Sequence, residues 1–151
     1  MLLLTFQAAG QRYAVDAKRV VEVVPRVRAR PLPHAPAHLT GVFEYRGEVV
    51  TVVDLGMLLG STAAPDRLST RIILIDRGGA APDRRELLGL VAEHVDDLTP
   101  VDPAALAPIP TTIPNAPYLG GIAETNSGMI QLLLVDKVLD APTTSDRREV
   151  Q

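Results

Sequence analysis

Apolar residues in this chain fall in short runs separated by Gly, Pro, Asn and charged positions. Nowhere do they hold a 3.6-residue period long enough for a substantial helix. Residues 2–6 and 13–15 are predicted strands around a turn at Gly10. Asp16 is placed to cap a helical turn, after which residues 20–24 become β-branched and extended. Pro25, Pro31, Pro33 and Pro36 make residues 26–38 an extended, irregular connector. The runs Gly41-Val42-Phe43 and Val49-Val50-Thr51-Val52-Val53 flank Arg46-Gly47-Glu48, which predicts a hairpin whose Gly supplies the turn and whose charges are held out as a presented surface. Asp54-Leu55 ends the second strand, and residues 56–60 read as a short helical turn closed by Gly60. Residues 72–76 and 87–91 predict another hairpin around the polar loop 77–85. Residues 101–117 are Pro-rich and read as a loop with one or two short strand pieces. Residues 121–125 and 129–135 flank the turn Asn126-Ser127-Gly128, residues 136–139 form a last helical turn, and 141–151 are a polar tail expected to be mobile.

The two halves of the chain repeat. Residues 13–22 match residues 88–97 in polarity, and Pro25 and Pro100 fall at the same offset. Gly41-Val42-Phe43-Glu44 matches Gly121-Ile122-Ala123-Glu124, and the Arg46-Gly47 turn answers Ser127-Gly128. Two similar units of about five short strands each suggest two small closed barrels with few exposed edges.

Composition then narrows the function. Of 151 residues 46% are apolar, with 2 Phe, 3 Tyr and no Trp, so the core is aliphatic and stacking platforms for single strands are few. A net charge of −3 gives no global field for nucleic acid or acidic lipid. The lack of Cys excludes disulfides and thiolate metal sites and fits a reducing compartment. The first residues are too short for a signal segment and lack a basic start, and no run approaches the roughly 20 apolar residues of a membrane helix. The expectation is a cytoplasmic protein with one domain over residues 1–140, divided into a first unit near 10–64 and a second over 65–140. No G-x-S-x-G, P-loop or G-x-G-x-x-G pattern occurs, which argues against an enzyme. His34 and His38 have a helical metal-ligand spacing, but Pro33 and Pro36 forbid a regular helix there and no third ligand is near. No metal or cofactor is expected.

The order of these features carries a resemblance. Tyr13, Val20, Glu22, Val23, Pro33, Gly41, Val42, Arg46, Gly47, Val52, Val53, Asp54, Leu55 and Gly60, followed by residues 71–75, Gly89-Leu90, Val95, Gly121 and residues 132–139, form an ordered set. In that set the chain resembles the CheW-type coupling proteins of bacterial chemosensory arrays over residues 2–140. The resemblance implies an all-β fold of two five-stranded SH3-like barrels. It implies a non-enzymatic adaptor that joins the cytoplasmic tips of methyl-accepting chemotaxis-type receptors to the regulatory domain of a CheA-type histidine kinase, with other CheW-like proteins as further partners. By the same likeness Val20, Glu22, Val23, Gly41, Tyr45, Arg46, Gly47 and Val95 belong to the receptor-binding face. The kinase would pair with an apolar barrel end, for which Met57, Leu58 and Leu59, or Ile72 and Leu74, are the candidates. Glu44-Tyr45 stands where the family usually has Asn-Leu, Thr51 where it has Pro, and Glu93 where its second half has Asp. These departures resemble couplers of alternative pathways, such as the Wsp type whose kinase output controls a diguanylate cyclase.

Each candidate also has a plainer reading. Glu22 and Arg46 are either a partner-specifying pair or an ordinary surface ion pair of about 0–1 kcal/mol. Val20 and Val23 are groove contacts or core. Tyr45 is an interface anchor or a solvent-leaning strand aromatic. His94 reads as a surface residue, and Asp54 and Asp136 as turn caps. The basic spots at residues 26–30 and at Arg84-Arg85 are solvated links or anion contacts. Two rival classes remain at this stage, a small hydrolase or ligand-binding barrel and a nucleic-acid-binding barrel module.

Overall fold

Strands form on short runs rich in Val, Ile and Leu, and turns form where Gly or a capping Asp relieves the backbone. The computed structural model of the protein describes residues 1–60, 62–77, 85–109 and 113–140. The loop tip at Gly78-Gly79, Arg84 and the tail 141–151 lie outside the described residues. The described residues form nine strands: β1 (Leu2–Ala8), β2 (Gln11–Asp16), β3 (Val20–Pro25), β4 (Leu39–Tyr45), β5 (Glu48–Asp54), β6 (Thr70–Asp76), β7 (Leu87–Pro100), β8 (Leu119–Thr125) and β9 (Gly128–Leu133). One α-helical turn, α1 (Leu55–Gly60), follows β5, and short 3₁₀ turns cover Ala17–Arg19, Pro103–Ala105 and Val135–Asp140. The chain is all-β, as its patterning predicts.

Local chemistry fixes several joints. The Asp16 carboxylate accepts from the Lys18 backbone N–H at 3.0 Å and opens the 3₁₀ turn that leads into β3. The β4–β5 hairpin turns on Arg46 (φ 48°) and Gly47 (φ 83°), both left-handed, which is the two-residue turn whose twist matches the flanking strands. Asp54, 1% exposed, accepts from Met57 N at 3.2 Å and from Ala64 N at 3.1 Å, so a buried carboxylate anchors both α1 and the segment after it.

The strand pairings trace two circuits. In the first, β3 pairs with β6, β6 with β7, β7 with β5 and β5 with β4. The connector leaving β3 then returns to β4, where Arg30 and Val42 exchange backbone hydrogen bonds of 2.7 and 2.9 Å. In the second, β7 pairs with β1, β1 with β2, β2 with β9 and β9 with β8, and the segment leaving β7 returns through Ala107 to Ile122 with two bonds of 2.8 Å. Val42 and Ile122 are the residues that the repeat aligns, and both circuits close on them. Gly41 and Gly121 precede them because no side chain fits: a Cβ on Gly41 would stand 2.1 Å from the Arg30 carbonyl oxygen, and one on Gly121 2.9 Å from that of Ala107.

Two features differ from the sequence reading. The run at 87–91 continues to Pro100 as one long strand, whose first part pairs with β6 and β5 and whose last part pairs with β1. The circuits also do not follow a cut of the chain near residue 64, since β6 pairs with β3 while β1 and β2 pair with β7 and β9.

Burial follows the same geometry. Val50, Val52, Ile72, Leu74, Leu87 and Val91 form an apolar cluster from strands of the first circuit, and Leu3, Ala14, Ala123 and Ile130 form one from the second. A larger, central cluster draws on strands of both circuits and includes Leu4, Phe6, Tyr13, Val15, Val53, Ile73, Ile75, Leu88, Leu90, Leu133 and Val138. On β6, Ile72 and Leu74 enter one cluster while Ile73 and Ile75 enter the other, so this strand is buried on both faces. Each such side chain contributes about 1.5–3 kcal/mol by leaving water.

Candidate functional site

A depression of about 550 Å³ at the tip of the β4–β5 hairpin gathers Val21, Glu22, Tyr45, Arg46, Glu48 and Arg85. Glu22 comes from β3, Tyr45 from the end of β4, Arg46 from the turn and Glu48 from the start of β5. The Tyr45 hydroxyl donates to Glu22 Oε2. Arg46 Nη2 lies 3.8 Å from the same oxygen, and the Arg46 guanidinium carbon stands 5.1 Å from the Tyr45 ring centroid. Glu48 pairs across the strands with Tyr45, and its Oε2 lies 3.6 Å from Arg85 Nε. The hydrogen bond to the Glu22 carboxylate is the first cause of a Tyr45 phenol pKa above its ordinary value, followed by desolvation. Among the described residues that line it no nucleophile stands beside a base, and the arrangement is one of paired charges around an aromatic ring, suited to recognising another polar surface.

The residues expected from the sequence divide among three fates. Glu22, Tyr45 and Arg46 meet in the depression, and Gly47 supports it through its positive φ. Val20 packs partly buried against the central cluster opposite Ile75, so its place is on the core side, while Val23 is 37% exposed opposite Ile73. Gly41 is buried and acts through backbone closure, and Val95 packs against the central cluster away from the residues that line the depression. Val21, Glu48 and Arg85 join the site without having been singled out for it. Glu48 was legible from its position in the charged turn. Arg85 was not, because it arrives from a separate hairpin.

The proposed apolar docking edges need a correction. Ile72 and Leu74 are 0% exposed, and β6 has a paired strand on each side, so neither residue presents an edge to a partner. Met57, Leu58 and Leu59 are half-buried on α1, with Leu58 and Leu59 packed against the central cluster.

A second electrostatic joint lies apart from the depression. Arg19 donates to the Asp76 carbonyl at 2.8 Å and to the Asp136 carboxylate at 2.5 Å, tying the start of β3 to the end of β6 and to the last 3₁₀ turn. This hydrogen bond holds the Asp136 carboxyl below its ordinary range. Among the described residues, no helix is long and apolar enough to cross a membrane.

Comparison with known proteins identifies the family. The chain matches the family described as CheW-like domain over residues 2–143. It is 29% identical over 138 residues to the chemotaxis protein CheW of Rhizobium meliloti (strain 1021), covering 90% of this chain and 85% of the relative. It is 30% identical over 137 residues to the protein FrzA of Myxococcus xanthus, covering 89% and 82%. Its backbone is similar to the crystal structure of the scaffolding protein TtCheW from Thermoanaerobacter tengcongensis, with a TM-score of 0.77, 28% identity and coverage of 91% and 86%. That likeness gives the β-rich architecture its SH3-like character. The chain belongs to the CheW-like family of non-enzymatic chemosensory scaffold proteins.

Proposed function

We propose that this protein couples the cytoplasmic tips of methyl-accepting chemotaxis-type receptors to the regulatory domain of a CheA-type histidine kinase. The observation that carries the reading is the meeting of Glu22, Tyr45 and Arg46 on one accessible depression of a CheW-like chain. In this proposal the depression faces the receptor. The two strand circuits act as two barrels within one domain over residues 1–140, and the protein works in the cytoplasm at receptor arrays. Of the two apolar segments considered for the kinase, α1 keeps accessible surface at Met57 and is the candidate contact. The Glu44-Tyr45 pair, a departure that resembles couplers of alternative pathways, favours a receptor of a surface-sensing pathway over a flagellar one.

Titration calorimetry against the cognate kinase regulatory domain and against a receptor tip fragment tests the proposal. Binding to both, with receptor binding lost in folded Arg46→Glu, is the expected result, since truncating an interfacial charge can cost about 2–5 kcal/mol. Failure of the wild-type protein to bind either partner would refute it.

A further inference from the structure

The charges of the depression are unequally engaged. Glu22 Oε2 accepts the Tyr45 hydroxyl, and Glu48 is within 3.6 Å of Arg85, so each carboxylate has a near partner. Arg46 differs. Its approach to Glu22 is 3.8 Å, beyond hydrogen-bond length, and its side chain is 76% exposed. Among the described residues its other contact is with the Tyr45 ring, 5.1 Å from the guanidinium carbon, and none of its N–H donors makes a hydrogen bond there. The backbone sets where it starts, because Arg46 sits with Gly47 in the left-handed two-residue turn between the paired strands β4 and β5.

We infer that Tyr45 is the specificity-determining residue of this site: it occupies Glu22 and props Arg46, so that the group presented to the receptor is a guanidinium and the matching receptor residue is a carboxylate. This inference rests on the coupling function proposed above. A guanidinium held over an aromatic face offers a rigid fork that suits a carboxylate. Without the phenol hydroxyl, Glu22 turns to Arg46 and competes with the receptor for it. The raised phenol pKa agrees with a hydroxyl that keeps its proton on this carboxylate.

The test titrates the full chain with a helical-hairpin peptide of the cognate receptor tip, and with a second peptide whose Asp and Glu residues are replaced by Asn and Gln. The wild-type protein is expected to bind the acidic peptide about tenfold more tightly than the amidated one. Tyr45→Phe, which deletes only the hydroxyl, is expected to weaken binding of the acidic peptide by about five- to tenfold, as contacting residues couple. Adding Glu22→Gln to Tyr45→Phe should restore it, a rescue that a merely structural tyrosine would not show. Equal affinity for the two peptides, unchanged binding by Tyr45→Phe, or no rescue by Glu22→Gln overturns the inference while leaving the coupling function standing. No binding of either peptide by the wild-type protein overturns both.

Discussion

Replacing Gly41 by Ala tests whether the first circuit owes its closure to one missing side chain. A Cβ at this position would lie 2.1 Å from the Arg30 carbonyl oxygen and 2.6 Å from the Arg30 carbonyl carbon, both rigid backbone atoms. The residue also has a φ of +145°, where an L side chain is strained by about 1–3 kcal/mol. Relief requires moving the connector, which breaks the hydrogen bonds of 2.7 and 2.9 Å between Arg30 and Val42. Each is worth about 0.5–1.5 kcal/mol net. Together these give about 2–6 kcal/mol, or a melting point lower by roughly 5–20 °C for a domain of this size. Gly47→Ala is the control: its φ of +83° carries strain, but nothing lies within 4 Å of the new Cβ. Thermal unfolding by circular dichroism measures both, and hydrogen exchange at the Val42 amide reports the bridge directly. A Gly41→Ala protein that melts within about 2 °C of wild type, or no lower than Gly47→Ala, would refute the reasoning.

Other outcomes follow from the same geometry. Arg46→Glu should melt near the wild-type temperature, since exposed substitutions shift stability by only about ±0.5 kcal/mol, and a large drop in a melting scan would give Arg46 a structural role instead. Leu74→Ala should cost about 2–5 kcal/mol in denaturant unfolding, and Leu74→Asp should unfold the protein outright; a folded Leu74→Asp with normal stability would contradict its burial. Asp136, lowered by its hydrogen bond from Arg19, adds stability that is present above the unfolded carboxyl value and lost as pH falls through the depressed folded value. Melting scans from neutral to acid pH should therefore show a shallower acid decline in Asp136→Asn, and the effect is small because the side chain is 62% exposed. Burial lowers His38 from its ordinary 6.5, so its contribution is present above that value and lost as pH falls through the folded one. His38→Gln should flatten stability across that mildly acid window, and an unchanged slope would show that His38 is not desolvated.

The sequence by itself determined the local pieces of this protein. Short apolar, β-branched runs marked the strands, the Arg46-Gly47 dipeptide the hairpin, Asp16 and Asp54 the turns they cap, and the repeat of Gly41-Val42 in Gly121-Ile122 the positions where both circuits close. These features are legible because turn chemistry and side-chain alternation act between neighbours along the chain. Glu22, Tyr45 and Arg46 could be named from the resemblance, but not their contacts. The tyrosine hydroxyl meets a carboxylate 23 residues away because separate strands end beside one another. Only the tertiary structure decided that residues 87–100 form one strand shared by both circuits, that β5 runs parallel to β7, and that Ile72 and Leu74 face an interior. An apolar strand reads the same whether it lies at an edge or between two neighbours. What separates the cases is which distant strands supply hydrogen bonds on either side, and no local pattern records that choice.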